Sequence, residues 1–376
     1  MKTQSKQTIC VHEGKKPDES RGINTPIYTS TSYGYLDTEE RLYPRYFNIP
    51  NQKVVIDKLA KLENAESGLI FSSGMAAISS TLFSLLSAGD HIIFQKGLYG
   101  GTINFIKEDF NRFGISYTML ENNELNSILD AIQENTKIIY VESPSNPLLT
   151  IIDLEAISDI CKSRNILSVI DNTFASPINQ NPIYFGIDIV LHSATKYLGG
   201  HSDIAAGAIL SRQDLVKKIA GTSLNLGGSL NALMCYMMER SLKTLAIRVG
   251  KQNENAQRLA EFLSSHPKVS KVYYPGLPEH PGHETAKKQM TGFGGMVSFE
   301  ITDPTIYDFQ KRLNLVKPSM SLGGVESTIC APSLTSHRHL TKEKKEQDGI
   351  NDNLLRLSVG IEDTTDLIND LEQAMK

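Results

Sequence analysis

Hydrophobic and polar positions change their spacing several times along the chain. From about residue 53, apolar residues recur at helical intervals in KVVIDKLAKLENA, and a short apolar run, GLIF, follows. Further short apolar runs then alternate with helix-like segments; they are HIIF, KIIYV, ILSVI and DIVLH. Buried parallel strands that are joined by helices produce this alternation. The pattern predicts an α/β fold with a mostly parallel sheet and helices on both faces.

Two regions at the ends of the chain differ from this central pattern. Residues 1–50 are rich in Thr, Ser, Tyr and Pro and have little helical periodicity, yet they are too aromatic for a typical disordered segment. After about residue 245, a smaller α+β region ends in the amphipathic stretch TTDLINDLEQAMK. We therefore predict an N-terminal arm (1–50) that packs on another surface, a large domain (51–245) and a small C-terminal domain (246–376).

Composition and charge exclude several classes of protein. A net charge of −4 gives no basic surface for nucleic acid or for an anionic membrane. No apolar run approaches the roughly 18 residues of a membrane span, and the first residues lack the apolar core of a signal peptide, so we expect a cytoplasmic protein. The cysteines lack zinc-binding spacing, which predicts reduced thiols and no metal site; they are Cys10, Cys161, Cys235 and Cys330.

Reactive side chains follow the ends of two predicted strands. Asp171 comes directly after LSVI, and Lys196 follows DIVLH together with the small hydroxyl residues Ser193 and Thr195. The separation of Asp171 and Lys196 is close to one strand–helix–strand repeat. Because the carboxyl ends of parallel strands meet at one edge of a sheet, both side chains can face one pocket.

A phosphate-binding turn follows an earlier predicted strand. The segment SSGMAA comes after GLIF, and Gly74 permits a tight turn there. The helix that begins at Gly74 and Met75 presents free N–H groups and the positive end of its dipole. Such a helix start is a seat for a phosphate group.

These parts fit one cofactor, pyridoxal 5′-phosphate (PLP). PLP needs a lysine for its Schiff base, a carboxylate for its pyridine nitrogen and a cradle for its phosphate. Asp171 would favour the protonated ring nitrogen, which makes the ring a stronger electron sink. The phosphate would be held by Ser193, Thr195 and the N–H groups at Gly74 and Met75. Each residue alone has an ordinary explanation as a surface charge, cap or turn residue, but their joint order along the chain favours a PLP site.

The segment HSATKYLGGHSD resembles the lysine signature of the trans-sulfuration enzymes, the Cys/Met-metabolism family of fold-type-I PLP-dependent enzymes. Similar motifs run along nearly the whole chain: YPRYFN, SSGMAA, YGGT, ESPSNP, DNTF, MSLGGVES and LLRLSVGIED. The resemblance implies a fold-type-I, transferase-like fold. It also implies a carbon–sulfur lyase that acts on cystathionine or a related sulfur amino acid.

The resemblance assigns roles to particular residues. Lys196 would carry PLP as an aldimine and then move protons, while Asp171 would pair with the pyridine nitrogen. Tyr99 would stack on the cofactor ring and is a candidate proton-transfer group. Tyr43 and Arg45 would reach the phosphate of a neighbouring subunit, which implies a homo-oligomer, a tetramer built from dimers with shared active sites.

The same resemblance places the substrate. Arg356 and Ser321 would bind the α-carboxylate of the amino acid, Arg356 through a bidentate fork that lysine cannot match. Asn146 would lie near this carboxylate and the ring oxygen of the cofactor. Although His192 and His201 flank the lysine segment, we expect neither to be a catalytic residue or a metal ligand.

Several reactions remain open within the family. Met320 stands where γ-lyases and γ-synthases of cystathionine carry glutamate, and Gly101 stands where methionine γ-lyases carry cysteine. Both features favour cystathionine β-lyase, which forms homocysteine, pyruvate and ammonia. The alternatives are cystathionine γ-lyase, cystathionine γ-synthase, methionine γ-lyase, another fold-type-I reaction such as transamination or aldol cleavage, and a PLP-binding regulatory protein.

Two segments depart from the family pattern. YPRYFNIPN carries one residue more than usual before its second proline, and TSHRH replaces the commoner MTH. The first departure affects the N-terminal arm, and the second affects the rim near the substrate.

Overall fold

The computed structural model describes residues 4–14, 21–335, 338 and 341–376. The first part of the described chain contains α1 (Lys6–His12), α2 (Pro50–Glu63), β1 (Ser67–Phe71), α3 (Gly74–Leu85), β2 (His91–Phe94), α4 (Gly100–Asp109), β3 (Ser116–Met119), α5 (Leu125–Ala131), β4 (Thr136–Glu142), α6 (Leu154–Arg164), β5 (Leu167–Asp171), α7 (Ser176–Asn179), β6 (Ile189–His192), β7 (Gly207–Ser211), α8 (Gln213–Leu226) and α9 (Ala232–Leu242).

The remaining elements complete the described chain. They are α10 (Leu245–Ser265), β8 (Val269–Tyr273), α11 (His283–Gln289), β9 (Met296–Ile301), α12 (Ile306–Arg312), β10 (Lys317–Pro318), β11 (Thr328–Cys330), α13 (Lys342–Gln347), β12 (Leu354–Ser358) and α14 (Thr364–Met375). Short 3₁₀ turns occur at Pro44–Tyr46, Phe110–Phe113, Pro182–Phe185 and Pro332–Leu334.

Seven strands of the described chain form the large sheet, in the order β1-β7-β6-β5-β4-β2-β3. The pairs from β6 to β3 are parallel, whereas β7 runs antiparallel to both of its neighbours, β1 and β6. Every residue of β2, β6 and β7 is buried, so helices and loops cover both faces of the sheet. The predicted α/β fold with a mostly parallel sheet is confirmed.

Local signals explain where the helices around this sheet begin and end. The Ser73 hydroxyl accepts a hydrogen bond from the Ala76 N–H and caps α3, and the Asp153 carboxylate caps α6 in the same way. At the other ends, Asn64 and Asn165 adopt the left-handed conformation that closes α2 and α6. The Ser73 cap fixes the start of α3 at the edge of the sheet that carries the candidate site.

A second sheet of five described strands, in the order β10-β11-β12-β9-β8, builds the C-terminal region. It has its own core, in which Phe299 and Leu355 pack with Leu371 of α14. Helix α10 links the two cores, because Val249 packs in the first core and Ala256 in the second. The domain limits 1–50, 51–245 and 246–376 stay a prediction.

The N-terminal region differs from its predicted irregular character. Residues 6–12 form α1, which packs against α2 and α10 and buries Ile9 and Cys10. After residue 20, the described arm has no helix or strand before Pro44, and it exposes Ile23, Tyr35 and Leu36. The arm thus combines one helix that is anchored on its own chain with a long segment that leaves large apolar side chains in solvent.

All four cysteines are free and buried. Within the described ranges, no helix combines the length and the apolar character that crossing a bilayer requires. The same ranges contain no group of three or more potential metal-ligating side chains.

Candidate active site

Lys196 lies in a tight turn after β6. Its N–H donates to the Ser193 carbonyl at 3.1 Å, and its own carbonyl accepts from the Gly200 N–H at 2.7 Å. Gly200 adopts a φ of +70°, a conformation that glycine reaches without strain. The turn therefore needs a glycine after the lysine, and it projects the side chain from the carboxyl edge of the sheet.

The Lys196 amine is half-buried and meets a residue from the C-terminal region. Its Nζ donates to the Ser321 Oγ at 2.8 Å. Burial lowers the pKa of the Lys196 ammonium, and the positive charge of Arg356 lowers it further. A larger fraction of the amine is therefore unprotonated and nucleophilic at neutral pH than for an exposed lysine.

Arg356, on β12, lies beside this amine. Its guanidinium donates to the Asn146 Oδ1 at 2.7 Å and to the Ser321 carbonyl at 3.2 Å. Arg356 is 6% exposed, and its buried Nε has no hydrogen-bond partner in the described part of the chain. An open donor on a buried guanidinium is suited to an incoming carboxylate.

Two carboxylates end neighbouring strands at the same edge. Asp171, the last residue of β5, is directly paired with Glu142, the last residue of β4. Both side chains are buried. Burial raises the pKa of Asp171, while its hydrogen bonds with Thr173 oppose the rise. Burial first, and then the negative charge of Asp171, raises the pKa of Glu142 well above its usual value.

A short series of hydrogen bonds connects Asp171 to the lysine turn. The Asp171 Oδ1 accepts the Thr173 N–H at 3.0 Å, and the Thr173 Oγ1 accepts the Ser193 N–H at 2.8 Å. Since the Ser193 carbonyl accepts the Lys196 N–H, the two turns after β5 and β6 hold each other in place. The structure therefore brings Asp171 and Lys196 to one site, as the strand spacing predicts.

The backbone of Tyr99 is attached to the carboxyl edge of the sheet through Glu142. Its backbone N–H donates to the Glu142 Oε1 at 2.8 Å, and its side chain is 47% exposed. A Cβ at Gly101 would lie 2.5 Å from the Tyr99 Cε1, so the ring occupies the space that any side chain at 101 would need. Gly101 thus permits the observed position of the tyrosine ring.

The start of α3 lies against the lysine turn. A Cβ at Gly74 would lie 3.0 Å from the Ser193 Oγ, so only glycine permits this close approach. Gly74 and Met75 are the first two residues of α3, where N–H groups have no partner within the helix. The Thr195 hydroxyl already exchanges two hydrogen bonds with the backbone of Ala206, which fixes its rotamer.

This donor set fits PLP. The site offers a nucleophilic amine on Lys196, a buried carboxylate on Asp171 and a helix start beside the Ser193 hydroxyl. These groups match the aldehyde, the pyridine nitrogen and the phosphate of PLP, respectively. Arg356 leaves a donor open for the carboxylate of an amino acid.

Comparison with known proteins decides the family. A model of the Cys/Met metabolism PLP-dependent enzymes matches residues 7–376. The chain belongs to this family. Membership confirms the resemblance, the fold-type-I class and the predicted cofactor, and it identifies the chain as a PLP-dependent enzyme.

Individual members of the family have several activities. A cystathionine beta-lyase of Lactococcus lactis subsp. cremoris (strain MG1363) is 44% identical over 376 residues, which cover 98% of each chain. An L-methionine gamma-lyase of Fusobacterium nucleatum subsp. nucleatum is 41% identical over 395 residues, covering 100% of this chain and 99% of the relative. The crystal structure of a cystathionine gamma-lyase from Lactobacillus plantarum, complexed with L-serine, has a TM-score of 0.94 at 40% identity and covers 99% of this chain and 98% of that chain.

The two arm residues lie apart from this cluster. These residues, Tyr43 and Arg45, are both exposed. Arg45 donates a hydrogen bond to the Leu224 carbonyl, and its Cζ lies 5.6 Å from the centre of the Tyr43 ring. In the described part of the chain, neither one hydrogen-bonds to a residue of the Lys196 site. The family resemblance predicts that Tyr43 and Arg45 reach the PLP phosphate of another subunit.

The two histidines that flank the lysine segment, His192 and His201, and the unusual segment TSHRH are the remaining features that the sequence analysis singles out. The His192 Nε2 lies 2.6 Å from the Oε1 of buried Glu63, and the His201 Nδ1 lies 2.9 Å from the Gly199 carbonyl oxygen. Of the unusual segment TSHRH, only Thr335 and Arg338 are among the described residues; Ser336, His337 and His339 lie outside them.

The sequence analysis assigns no role to two residues that support the site. Thr173 joins Asp171 to Ser193, and Glu142 holds the backbone of Tyr99. The signal for Thr173 was its position two residues after Asp171, where an Asp side chain commonly accepts the backbone N–H. Glu142 was visible at the end of the run KIIYVE, but its pairing with Asp171 depends on the strand order.

Proposed function

We propose that this enzyme is a carbon–sulfur lyase that cleaves cystathionine at its Cβ–S bond. One water is consumed, and homocysteine, pyruvate and ammonia are released. The observation that carries the proposal is the juxtaposition of the Lys196 amine with Ser321 and Arg356, which would place an amino-acid carboxylate beside a base. The Lactococcus lactis relative, named cystathionine beta-lyase, supports the choice of reaction.

Four groups of this chain would hold the cofactor. Lys196 would bind it covalently, and the Asp171 carboxylate would hold a proton at the pyridine nitrogen. Tyr99 would cover one face of the ring. The phosphate would be held by Gly74, Met75, Ser193 and Thr195. When bound, PLP supplies an electron-withdrawing ring that stabilises negative charge at the substrate Cα.

The remaining residues would orient the substrate. Arg356 would bind the α-carboxylate of the substrate. Ser321 and Asn146 would help, since both already accept hydrogen bonds from the guanidinium. Once the amino group of the substrate has replaced Lys196 on the cofactor, the Cα–H bond would point to the freed Lys196 amine, which would take this proton. The thiolate would then leave from Cβ, and Tyr99 is a candidate donor of a proton to the sulfur.

The side chain next to Ser321 favours β-cleavage. Met320 is 67% exposed and apolar, whereas the family resemblance associates a glutamate at this position with the γ-lyases and γ-synthases of cystathionine. Met320 also lies, with Ser321, in the lining of a cavity of about 460 Å³ that has room for the distal part of a substrate. Cystathionine γ-lyase, cystathionine γ-synthase and methionine γ-lyase are the alternatives, because relatives with such names match nearly the whole of this chain at 40–41% identity.

The exposed arm supports a homo-oligomer, a tetramer built from dimers. Tyr43 and Arg45 would complete the phosphate site of a neighbouring subunit. The large exposed side chains of the arm, such as Tyr35 and Leu36, would be covered in this contact. We also place the enzyme in the cytoplasm, since its four cysteines are free thiols.

Identification of the keto acid tests this proposal. Purified enzyme with PLP is supplied with cystathionine, and the products are separated. Equal amounts of pyruvate and homocysteine are expected. Formation of 2-oxobutyrate and cysteine instead would establish γ-cleavage, and no keto acid at all would overturn the lyase assignment.

A further inference from the structure

Two acids share one small volume at the carboxyl edge of the large sheet. Glu142 and Asp171 are direct partners in the β4–β5 register, and parallel strands lie only about 4.8 Å apart. Glu142 is 5% exposed and Asp171 is 9% exposed. Two carboxylates at this distance in a buried place repel each other strongly if both are ionised.

The surroundings offer little positive charge to compensate both acids. Among the described residues, no lysine, arginine or histidine forms a salt bridge with either carboxylate. The titratable groups that surround the pair are the buried phenol of Tyr140 on β4 and His192 on β6, whose Nε2 is already engaged by Glu63. A protonated pyridine ring would bring one positive charge, which is sufficient for one of the two acids.

The groups around each acid indicate which one keeps its charge. Asp171 is hydrogen-bonded by both the backbone N–H and the side chain of Thr173, and His192 also favours its ionised form. Glu142 accepts one backbone N–H, that of Tyr99, through Oε1. Burial and the negative charge of Asp171 raise the pKa of Glu142 well above its usual value, so the proton of the pair belongs on Glu142.

We propose that Glu142 is a positioning residue that acts in its protonated form. It holds the backbone of Tyr99 so that the ring covers the cofactor, and it adds no second negative charge beside Asp171. This inference rests on the proposed PLP site at Asp171 and Tyr99. The reaction needs the Glu142 hydrogen bond but not a Glu142 charge.

Glu142→Gln separates these two properties. Glutamine keeps an oxygen for the Tyr99 N–H and has the shape and neutrality of the protonated acid. We expect this variant to keep its dissociation constant for PLP and its kcat within about three-fold of the wild type. Glu142→Leu removes the acceptor and should lower kcat about ten-fold and change the circular dichroism of bound PLP, because Tyr99 moves.

Infrared spectroscopy of the apoprotein provides a readout that is independent of activity. At neutral pH, the wild type should show the carbonyl band of a protonated, buried carboxyl group. This band should disappear in Glu142→Gln and persist in Glu108→Gln, a control on the exposed face of α4. A variant Asp171→Asn provides the contrast, because its affinity for PLP should fall more than ten-fold.

The outcomes are distinct from those of the lyase assay. If Glu142→Gln weakens PLP binding by more than three-fold, or if the infrared band survives this substitution, Glu142 is charged and the inference is wrong. If Glu142→Leu does not fold, Glu142→Gln alone tests the inference. Should the wild type bind PLP but form no keto acid, the proposed reaction fails while these spectra still decide the state of Glu142.

Discussion

The Nζ of Lys196 lies 2.8 Å from the Oγ of Ser321, and the carbonyl of the same serine accepts a hydrogen bond from Arg356. One residue thus contacts both the proposed base and the proposed carboxylate-binding group. Ser321 adopts a φ of +80°, which is unfavourable for a residue with a side chain. Such strained backbone persists where the surrounding structure holds it, and it is common at functional sites.

Ser321→Ala tests the contact with the amine. The variant keeps the backbone carbonyl for Arg356 but removes the oxygen that orients the Lys196 Nζ. We expect kcat to fall about ten-fold while the visible absorbance of bound PLP remains. Ser264→Ala is the control, because that exposed hydroxyl, on α10, donates to the Glu261 carbonyl one turn earlier. Equal kcat values for the two variants would contradict the assigned role of Ser321.

Substitution of Arg356 separates its charge from its shape. Arg356→Lys keeps the charge but loses the two-pronged geometry, so KM should rise about ten-fold or more. Arg356→Met also removes a charge that lowers the pKa of Lys196. The free-amine fraction at a given pH should therefore fall in the methionine variant.

The rate at which apoprotein captures PLP, measured against pH, reports this change. In the wild type, the midpoint should lie below 10.5, the ordinary pKa of a lysine. It should stay near the wild-type value in Arg356→Lys and move to higher pH in Arg356→Met. A midpoint that is identical in all three proteins would show that Arg356 does not act on the amine.

Gly101→Ala tests the position of Tyr99. The new Cβ would lie 2.5 Å from Cε1 and 2.9 Å from Cζ of the ring, so the ring must move. We expect a changed circular dichroism of bound PLP and a lower kcat. Gly221→Ala in α8 is the control, since no atom lies within 4 Å of its new Cβ, and it should stabilise the protein by about 0.5–1 kcal/mol.

Mixed oligomers test the proposed contribution of the arm. Arg45→Ala and Lys196→Ala should each have low activity alone. After the two proteins are mixed and their subunits exchanged, a site with an intact Lys196 can receive an intact Arg45 from its neighbour. About a quarter of the wild-type activity should return in a random mixture of dimers. No recovery, despite hybrids seen by native mass spectrometry, would place Arg45 in its own subunit's site.

The sequence predicts the centre of the fold better than its edges. Strands β2, β4, β5 and β6 are apolar runs that are buried on both faces, so their pattern is clear. β3 (SYTM) is a partly exposed edge strand with no apolar run, and it was not predicted. Helix α1 was missed because its seven residues bury only Ile9 and Cys10.

The residues of the candidate site also differ in how well the sequence predicts that they lie together. Asp171 and Lys196 could be predicted together because strand ends converge whatever the details of the sheet. Arg356 lies on β12 of the second sheet and Ser321 lies between β10 and β11, and only the family resemblance points to them. The pairing of Glu142 with Asp171 depends on the order and register of β4 and β5, which hydrophobic periodicity does not specify.

The most direct test of the account is to locate the side chain that binds PLP. The enzyme is saturated with PLP, reduced with borohydride, digested and analysed by mass spectrometry. The account predicts a single phosphopyridoxyl group on the Lys196 Nζ, absent from Lys196→Ala, which should also lose its visible absorbance. A label on another lysine, or unchanged absorbance and turnover in Lys196→Ala, would contradict it.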